Sequence, residues 1–167
     1  MRHEAFERLY EEHAQPLLAF LTYRTGDRVL AEDLLADTFE RVLRARWRFD
    51  PRKGSEKTWL YTIALNLLRD HARRRGAETR ALERVPSPAV AVAPEGAPIE
   101  FQAVDDRDAL QRAMGRLSGE EREVIGLRYG ADLTSPEIAR LLKTKLTTIE
   151  GRLYRGLRRL RDELGQG

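Results

Sequence analysis

The segment spanning residues 59–75 constrains the fold of this chain more than any other part of the sequence. Its apolar residues recur in adjacent pairs at helical spacing: Trp59, Leu60, Ile63, Ala64, Leu67 and Leu68. This spacing predicts an α-helix with one buried stripe. The other side offers Asn66 and Arg69, and the segment ends in three consecutive arginines at 73–75. A helix of this kind is expected to bury its apolar side and to lie against an anionic partner with the other.

The N-terminal half contains two further helical patterns. Residues 4–23 predict a helix in which Pro16 causes a kink or a break, because proline lacks the backbone N–H. Gly26 and its neighbours predict a stop and a turn, and residues 28–45 predict the second helix. A loop at residues 48–55 then leads into the third helix, which is expected to run from about residue 56 to residue 75.

Residues 77–105 are predicted to be an acidic, proline-rich linker. Four of the seven prolines lie there, and the segment has no useful apolar period. Residues 1–77 carry 15 basic and 12 acidic side chains, residues 78–108 carry 3 and 7, and residues 109–167 carry 12 and 8. Two basic ends are therefore joined by an acidic middle. The expected fold is all-α, with small helical domains at 1–76 and 106–167.

The C-terminal domain has the pattern of a helix-turn-helix. Ser118 with Glu121, and Thr134 with Glu137, have the spacing of two capping boxes. Residues 137–142 predict a short helix, residues 143–146 a turn, and residues 147 onward a longer basic helix. A plain helical hairpin with solvated arginines is the simpler alternative.

Placed in a major groove, the second helix of this motif would present its first residues to base edges. Glu150 fits poorly beside phosphates, although a glutamate can accept a hydrogen bond from cytosine, and it could instead pair sideways with a nearby cation. The residues expected at base edges are Thr147, Thr148, Gly151 and Arg152, and those expected at phosphates are Lys143, Lys145, Arg155, Arg158 and Arg159.

Several classes of function are disfavoured by what the sequence does not contain. No apolar run approaches the roughly 20 residues of a membrane span, and the first residues do not form a signal peptide. The chain has no cysteine, and its three histidines lack ligand spacing, so no metal site and no cofactor are expected. No nucleophile–base pair is visible, so we do not expect an enzyme. Without a membrane span or a signal peptide, we expect a cytoplasmic location and no contact with the membrane.

The order of these motifs resembles a known family. Residues 31–39 read AEDLLADTF and are similar to the AEDLxQxTF segment of that family. Further matching positions are Trp59, Leu60, Tyr61, Ile63, Ala64, Asn66, Asp70 and Arg73, followed by residues 117–129 and 137–139, Thr148, Ile149, Arg152, Leu153 and Arg155. The family is the bacterial sigma factors of the minimal, extracytoplasmic-function (ECF) group, which keep only two helical domains, regions 2 and 4, joined by a linker.

The resemblance implies that the chain directs promoter-specific transcription initiation, with core RNA polymerase and promoter DNA as partners and an anti-sigma factor as a possible regulator. Region 4 would bind the duplex −35 element through the helix-turn-helix, Glu150 included. Region 2 would bind polymerase through Glu32, Asp33, Leu35, Asp37, Thr38, Glu40 and Arg44. Region 2 would also bind the melted −10 element through Arg48, Phe49, Lys53, Lys57, Trp59, Tyr61, Asn66, Arg69, Arg73 and Arg74.

The physical chemistry of single-stranded DNA supports the −10 assignment. Unpaired bases stack on aromatic rings while a cationic groove follows the backbone. Phe49, Trp59 and Tyr61 are the aromatic candidates; Trp59 lies on the apolar stripe and is also a core candidate, whereas Tyr61 is expected to be exposed. The loop 50–57 and Asn66 are candidates for holding a flipped base.

Three positions depart from the family pattern. Lys143 stands where a small residue is common, Thr144 where an aliphatic residue is expected, and Glu150 where lysine is common. These departures concern −35 recognition rather than fold. Two alternatives stay open: a helix-turn-helix regulator that acts without polymerase, and a sigma-like decoy that binds polymerase or an anti-sigma factor but no promoter.

Overall fold

A computed structural model describes residues 1–82 and 104–165, with side chains described for residues 1–78 and 108–165. Within these ranges the chain is helical and has no strand, which confirms the all-α prediction. A 3₁₀ turn, Arg46–Arg48, follows the second helix, and a π-helical turn, Gly126–Gly130, follows the fifth. The helices are α1 His3–Thr25, α2 Arg28–Ala45, α3 Glu56–Leu82, α4 Val104–Gly115, α5 Gly119–Ile125, α6 Ser135–Leu141 and α7 Leu146–Gly165.

The junction between α1 and α2 forms where the sequence predicts it. Gly26 ends α1 with a left-handed φ of 68°, and its N–H donates to the Thr22 carbonyl at 2.9 Å. The Asp27 side chain accepts a hydrogen bond from the Leu30 N–H and caps α2. The bounds of α2 agree with the prediction. Helix α1 is continuous through Pro16, so of the kink or break predicted there, the break is wrong.

Helix α3 is longer than the sequence reading suggested. It runs to Leu82, seven residues past the predicted end at Arg75, and so enters the predicted linker. Gly76 does not stop the helix, because one glycine costs only about 1 kcal/mol and the residues after it are mostly good helix formers. Residues 83–103 of the predicted linker lie outside the described residues, whereas its last two residues, 104 and 105, belong to α4.

The buried stripe of α3 is rotated by about one residue from the predicted one. Trp59 and Ile63 are only half-buried, whereas Tyr61 and Leu65 are almost wholly enclosed. The rotation places Tyr61 against Phe20 of α1, at a ring-centroid distance of 6.0 Å. The resulting buried face consists of Leu60, Tyr61, Ala64, Leu65, Leu67 and Leu68.

Both predicted capping boxes are present in the C-terminal half. The Ser118 hydroxyl accepts from the Glu121 N–H and the Glu121 carboxylate accepts from the Ser118 N–H, each at 3.1 Å. Thr134 and Glu137 make the same pair of bonds at the start of α6, at 2.7 and 3.3 Å. Helix α7 packs closely on α5 at Gly156, where an added Cβ would lie 2.6 Å from Ile125 Cδ1.

The N- and C-terminal halves contact each other directly. The Phe20 ring of α1 lies against Gly126 in the π-helical turn, 3.1 Å from the position an added Cβ would take. The Arg24 guanidinium approaches the Glu123 carboxylate of α5 at 3.8 Å. Buried apolar residues of both halves therefore form one continuous core cluster.

Candidate nucleic-acid interface

The outward side of α3 carries the predicted cationic face. The apolar positions of this helix are buried against α1 and α2, which leaves the polar positions between them exposed: Asn66, Arg69, Arg73 and Arg74. Among these, Arg73 donates to the Asp70 carboxylate at 2.7 Å, an exposed pair that contributes little to stability. The face as a whole suits an anionic ligand that lies along the helix.

The three aromatic residues predicted for base stacking do not form an exposed set. Phe49 and Trp59 are half-buried and pack on each other, with ring centroids 5.4 Å apart. Tyr61 is fully buried, so the prediction that it is exposed is wrong. Burial raises the pKa of the Tyr61 phenol, and its hydroxyl has no hydrogen-bond partner among the described residues. The reason is that the buried face of α3 lies about one residue away from the predicted one. It therefore includes Tyr61, whose ring packs against Phe20.

An aromatic residue that the sequence reading missed is exposed nearby. Trp47, in the 3₁₀ turn, is 72% exposed, and the Arg48 guanidinium lies over its ring at 4.7 Å. Its signal in the sequence was a tryptophan flanked by arginines, outside the period of either neighbouring helix. Trp47 borders an open cleft of about 380 Å³ lined by Arg41, Arg44, Ala45, Trp47, Arg48, Ile63 and Asn66.

The loop between this turn and α3 is ordered by short-range hydrogen bonds. Arg52 donates from its backbone N–H and its guanidinium to Asp50, and these bonds lower the pKa of that carboxyl. Ser55 caps α3 by accepting from the Thr58 N–H at 3.1 Å. Lys53 is exposed, whereas the Lys57 ammonium is bonded to the Asp132 carbonyl oxygen at 2.9 Å.

The predicted polymerase-binding residues lie mainly on the outer side of α2. Leu35 is half-buried. Glu32 forms an ion pair with Arg28, and Glu40 forms one with Arg44. Thr38 differs: it is fully buried and its hydroxyl donates to the Leu34 carbonyl at 2.6 Å, so its side chain is not available to a partner here. The exposed members of the set are Glu32, Asp33, Asp37, Glu40 and Arg44.

Helices α6 and α7 form the helix-turn-helix. Lys143 occupies the turn with a left-handed φ of 52°, the region that glycine adopts most readily. The Thr144 N–H donates to the Ala139 carbonyl at 2.9 Å, which closes the end of α6. The first two departures from the family pattern are therefore accommodated without losing the turn.

The predicted DNA-binding side chains of α7 divide into free and engaged ones. Arg152 has only 18% of its side chain exposed and pairs with Glu120 at 3.2 Å, and Arg159 donates to the buried Glu121 at 3.1 Å. Glu150 is exposed and has no ion pair within the described part of the chain. The exposed predicted residues that form neither of these pairs are Lys143, Lys145, Thr147, Glu150, Arg155 and Arg158, while Thr148 and Gly151 are half-buried.

The surface of α7 contains two details that the sequence reading missed. Tyr154 is 68% exposed, one turn after Glu150 on the same side of the helix. The Arg155 guanidinium lies back over Gly151, with Nη1 3.2 Å from the position an added Cβ would take. The absence of a side chain at Gly151 therefore lets Arg155 lie flat along the surface that would meet DNA.

None of the described helices is long and apolar enough to cross a membrane. The same residues contain no group of three histidine, cysteine, aspartate or glutamate side chains that could hold a metal ion.

Comparison with known families matches both halves of the chain. The family model Sigma-70 region 2 matches residues 9–78, and the model Sigma-70, region 4 matches residues 107–160. The ECF RNA polymerase sigma factor SigL of Mycobacterium tuberculosis is 33% identical over 161 residues, which cover 94% of this chain and 89% of SigL.

Two further comparisons agree with these matches. The ECF RNA polymerase sigma factor BldN of Streptomyces coelicolor is 32% identical over 159 residues, which cover 94% of this chain but 59% of BldN, so the chain spans less than two thirds of that relative. The sigma factor RpoE from Bartonella quintana, solved in complex with the anti-sigma factor NepR, superposes with a TM-score of 0.79 at 25% identity, covering 97% of this chain and 98% of RpoE.

Proposed function

The chain belongs to the ECF RNA polymerase sigma factors, and from this premise we propose that it directs core RNA polymerase to promoters by binding a melted −10 element and a duplex −35 element. The observation that carries the proposal is the presence of two separate exposed cationic helical surfaces on one chain. One is the face of α3 formed by Asn66, Arg69, Arg73 and Arg74, and the other is the exposed side of α7.

The α3 face and the cleft beside it are proposed to hold the −10 element. Arginine suits this surface because its guanidinium can make two hydrogen bonds to one phosphate. Asn66 stands at the junction of the cationic face and the cleft, where its amide can both donate and accept at a base edge. Lys53 and Arg48 extend the positive charge into the loop before α3.

Helix α7 is proposed to enter the major groove of the −35 element. Thr147 and Glu150 would face base edges, whereas Lys143, Lys145, Arg155 and Arg158 would meet phosphates. Arg152 contributes differently from the others, since its pair with Glu120 fixes α7 on α5 rather than leaving the guanidinium free for DNA.

The outer side of α2 is proposed to bind core polymerase, which supplies the catalysis. This surface is exposed and predominantly acidic, and it adjoins the α3 face at a cleft lined by Asp37, Glu40, Arg44 and Arg74. Because polymerase and promoter meet in the cytoplasm, we assign the chain to that compartment. The similarity to RpoE, whose solved complex contains NepR, supports an anti-sigma factor as a regulator of this chain as well.

The function is tested by reconstitution with core polymerase on a randomised promoter library. The expected result is enrichment of two sequence blocks and permanganate reactivity of unpaired thymines in the downstream block. An Arg69→Ala/Arg73→Ala variant is expected to keep polymerase binding and lose strand separation. Arg8→Ala, which removes an exposed arginine from α1, serves as the matched control.

The same experiment separates the two alternatives. Binding to symmetric duplex DNA without polymerase would identify a helix-turn-helix regulator. Polymerase binding without strand separation on any library member would identify a decoy. Either result would refute the proposed function.

A further inference from the structure

One side of α1 carries contacts that join the two halves of the chain. Spacings of four, three and four residues place four side chains on the same face of this helix: His13, Leu17, Phe20 and Arg24. Leu17 is fully buried, while Phe20 contacts the π-helical turn and Arg24 pairs with α5. His13 therefore stands at the end of a stripe that faces the C-terminal half.

A third contact between the halves lies at the His13 end of this stripe. His13 is within electrostatic range of Lys57 in the first turn of α3, and only 17% of its side chain is exposed. The Lys57 ammonium donates to the Asp132 carbonyl at 2.9 Å, and both sequence neighbours of Asp132 are buried in the core. Together with the contacts of Phe20 and Arg24, this bond defines a closed arrangement of the two halves.

The surroundings of His13 disfavour its protonated form in the closed arrangement. Burial lowers the pKa of His13 from 6.5, the Lys57 charge lowers it further, and the carboxylates of Glu12 and Glu56 have smaller opposing effects. Glu12 approaches the imidazole Nε2 at 3.8 Å from an exposed position. From the C-terminal half, Glu137 acts on Lys57: the pKa of its carboxyl is lowered first by the backbone hydrogen bond of its capping box and also by the Lys57 charge. A proton on His13 therefore adds a second positive charge beside Lys57.

The closed arrangement is too short to bind both promoter elements, a step that rests on the proposed function. A compact chain of 167 residues has a radius of gyration of about 15 Å. Elements centred near −35 and −10 are about 25 base pairs apart, which is roughly 85 Å of duplex at about 3.4 Å per base pair. The two halves must separate before one chain can hold both elements, so the contacts of the closed arrangement must break.

We propose that His13 and Lys57 form a pH-dependent latch between the two halves of the chain. While the imidazole is neutral, Lys57 stays bonded to Asp132 and the closed arrangement is maintained. When the imidazole is protonated, its charge repels Lys57, the bond to Asp132 breaks and the halves separate. Mild acid thereby increases the fraction of the free chain that can engage both promoter elements at once.

The latch is tested by measuring the separation of the halves in the full chain. Because the chain has no cysteine, Arg8→Cys and Arg161→Cys place one fluorophore on each half, at exposed positions of α1 and α7. Single-molecule energy transfer between the fluorophores then gives the closed and open fractions at pH 7.5 and pH 5.5. We expect the closed form to dominate at pH 7.5. The ratio of open to closed molecules should rise by up to about tenfold at pH 5.5, the limit for one histidine whose pKa in the open form is 6.5.

Substitutions of histidines separate the latch from other effects of acid. His13→Gln keeps a neutral side chain of similar size, so this variant should stay closed at both pH values. His13→Lys carries a positive charge at both pH values and should be open at both. His3→Gln is the matched control, because His3 is exposed and pairs with Glu7 on its own helix, and this variant should respond to pH like the unsubstituted chain. Gly126→Leu, whose added Cβ would lie 3.1 Å from the Phe20 ring, provides the open reference.

A second measurement keeps the latch testable if His13→Gln does not fold. Proton NMR follows the titration of the His13 imidazole in the unsubstituted chain and in Gly126→Leu. We expect the pKa of His13 to rise towards 6.5 when Gly126→Leu separates the halves. An identical pKa in the two chains would overturn the proposal, because the closed arrangement would then have no effect on the imidazole.

The remaining outcomes distinguish the latch from the proposed function. The latch is overturned if the open fraction does not depend on pH, if His13→Gln responds like the unsubstituted chain, or if only His71→Gln abolishes the response. Loss of the helical circular dichroism signal at pH 5.5 would indicate unfolding instead of separation and would also overturn it. None of these measurements includes polymerase or promoter. A chain that shows the latch but never separates promoter strands would therefore refute only the proposed function and the promoter step that rests on it.

Discussion

The Lys57 ammonium donates a hydrogen bond of 2.9 Å to the backbone carbonyl of Asp132, and so joins the first turn of α3 to the segment before α6. Lys57 is one of the residues predicted to contact the −10 element. In this arrangement its donor is directed at the C-terminal half, which also contacts α1 where Phe20 lies against Gly126. The contact between the halves therefore occupies a group that promoter binding is expected to use.

Substituting Gly126 is expected to separate the two halves. A Cβ there would come within 3.1 Å of the Phe20 ring, so Gly126→Leu cannot keep the present packing. We expect a larger radius of gyration by small-angle X-ray scattering. Gly130→Leu is the matched control, since an added Cβ at Gly130 has no neighbour within 4 Å. An unchanged radius in both variants would contradict the prediction.

Gly156 is expected to be required for the packing of α7 on α5. In Gly156→Ala the new Cβ would lie 2.6 Å from Ile125 Cδ1, so we expect a loss of about 1–3 kcal/mol in unfolding free energy, despite alanine's better helix propensity. Ile125→Val removes the clashing atom, so the double variant should lose less than the sum of the single losses. Urea denaturation measures all three, and strict additivity would count against the contact.

The two capping boxes are expected to differ in importance. The Glu121 side chain is 5% exposed and binds both the Ser118 N–H and Arg159, whereas Glu137 caps α6 at an exposed site. Glu121→Ala should cost about 1–3 kcal/mol, because it leaves a partly buried donor without an acceptor. Glu137→Ala should cost less. Thermal unfolding of the two variants provides the comparison, and equal losses would argue that burial of the first box has no energetic consequence.

His13 is expected to make the fold less stable in mild acid. Burial lowers its pKa from 6.5, and the Lys57 charge acts in the same direction against smaller opposing effects of Glu12 and Glu56. Its contribution is therefore complete above the unfolded-state pKa of about 6.5 and is lost as the pH falls through the lower folded value. His13→Gln should show a smaller decrease in unfolding free energy between pH 7 and pH 5. Parallel pH profiles would refute this role.

Glu150 is expected to weaken duplex binding. It is exposed on the side of α7 predicted to face DNA and has no ion pair within the described residues. Glu150→Lys should raise affinity for the −35 duplex and steepen its dependence on salt by about one unit of logarithmic slope. The affinity of Glu150→Gln for the same duplex should lie between those of the unsubstituted chain and Glu150→Lys. If both variants instead lose selectivity at one cytosine, the glutamate reads sequence.

Local signals predicted most of the fold. The end of α1 at Gly26, the bounds of α2 and both capping boxes were readable because each depends on residues within four positions of one another. The turn before α7 was also located, although its Lys143 adopts a left-handed conformation usual for glycine. The end of α3 was not predicted correctly, because a single glycine is a weak stop signal when helix formers follow it.

Features that depend on distant residues were missed. The period of α3 predicts a buried stripe but not its rotation, which is set by packing against Phe20 on α1. Nothing local marks Gly126 as the residue that Phe20 meets across the two halves. The exposure of Trp47 was missed for a related reason: tryptophan is usually buried, and only the packing of its neighbours shows that this one has no place in the core.

The Tyr61 hydroxyl is a polar atom enclosed in the packing of α3 on α1. It is enclosed and has no hydrogen-bond partner among the described residues, so Tyr61→Phe is expected to fold at least as well. The packing of α3 on α1 thus gives no thermodynamic reason for the phenolic oxygen. The contribution of Tyr61 to the fold therefore comes from its ring, which packs against Phe20 at a centroid distance of 6.0 Å.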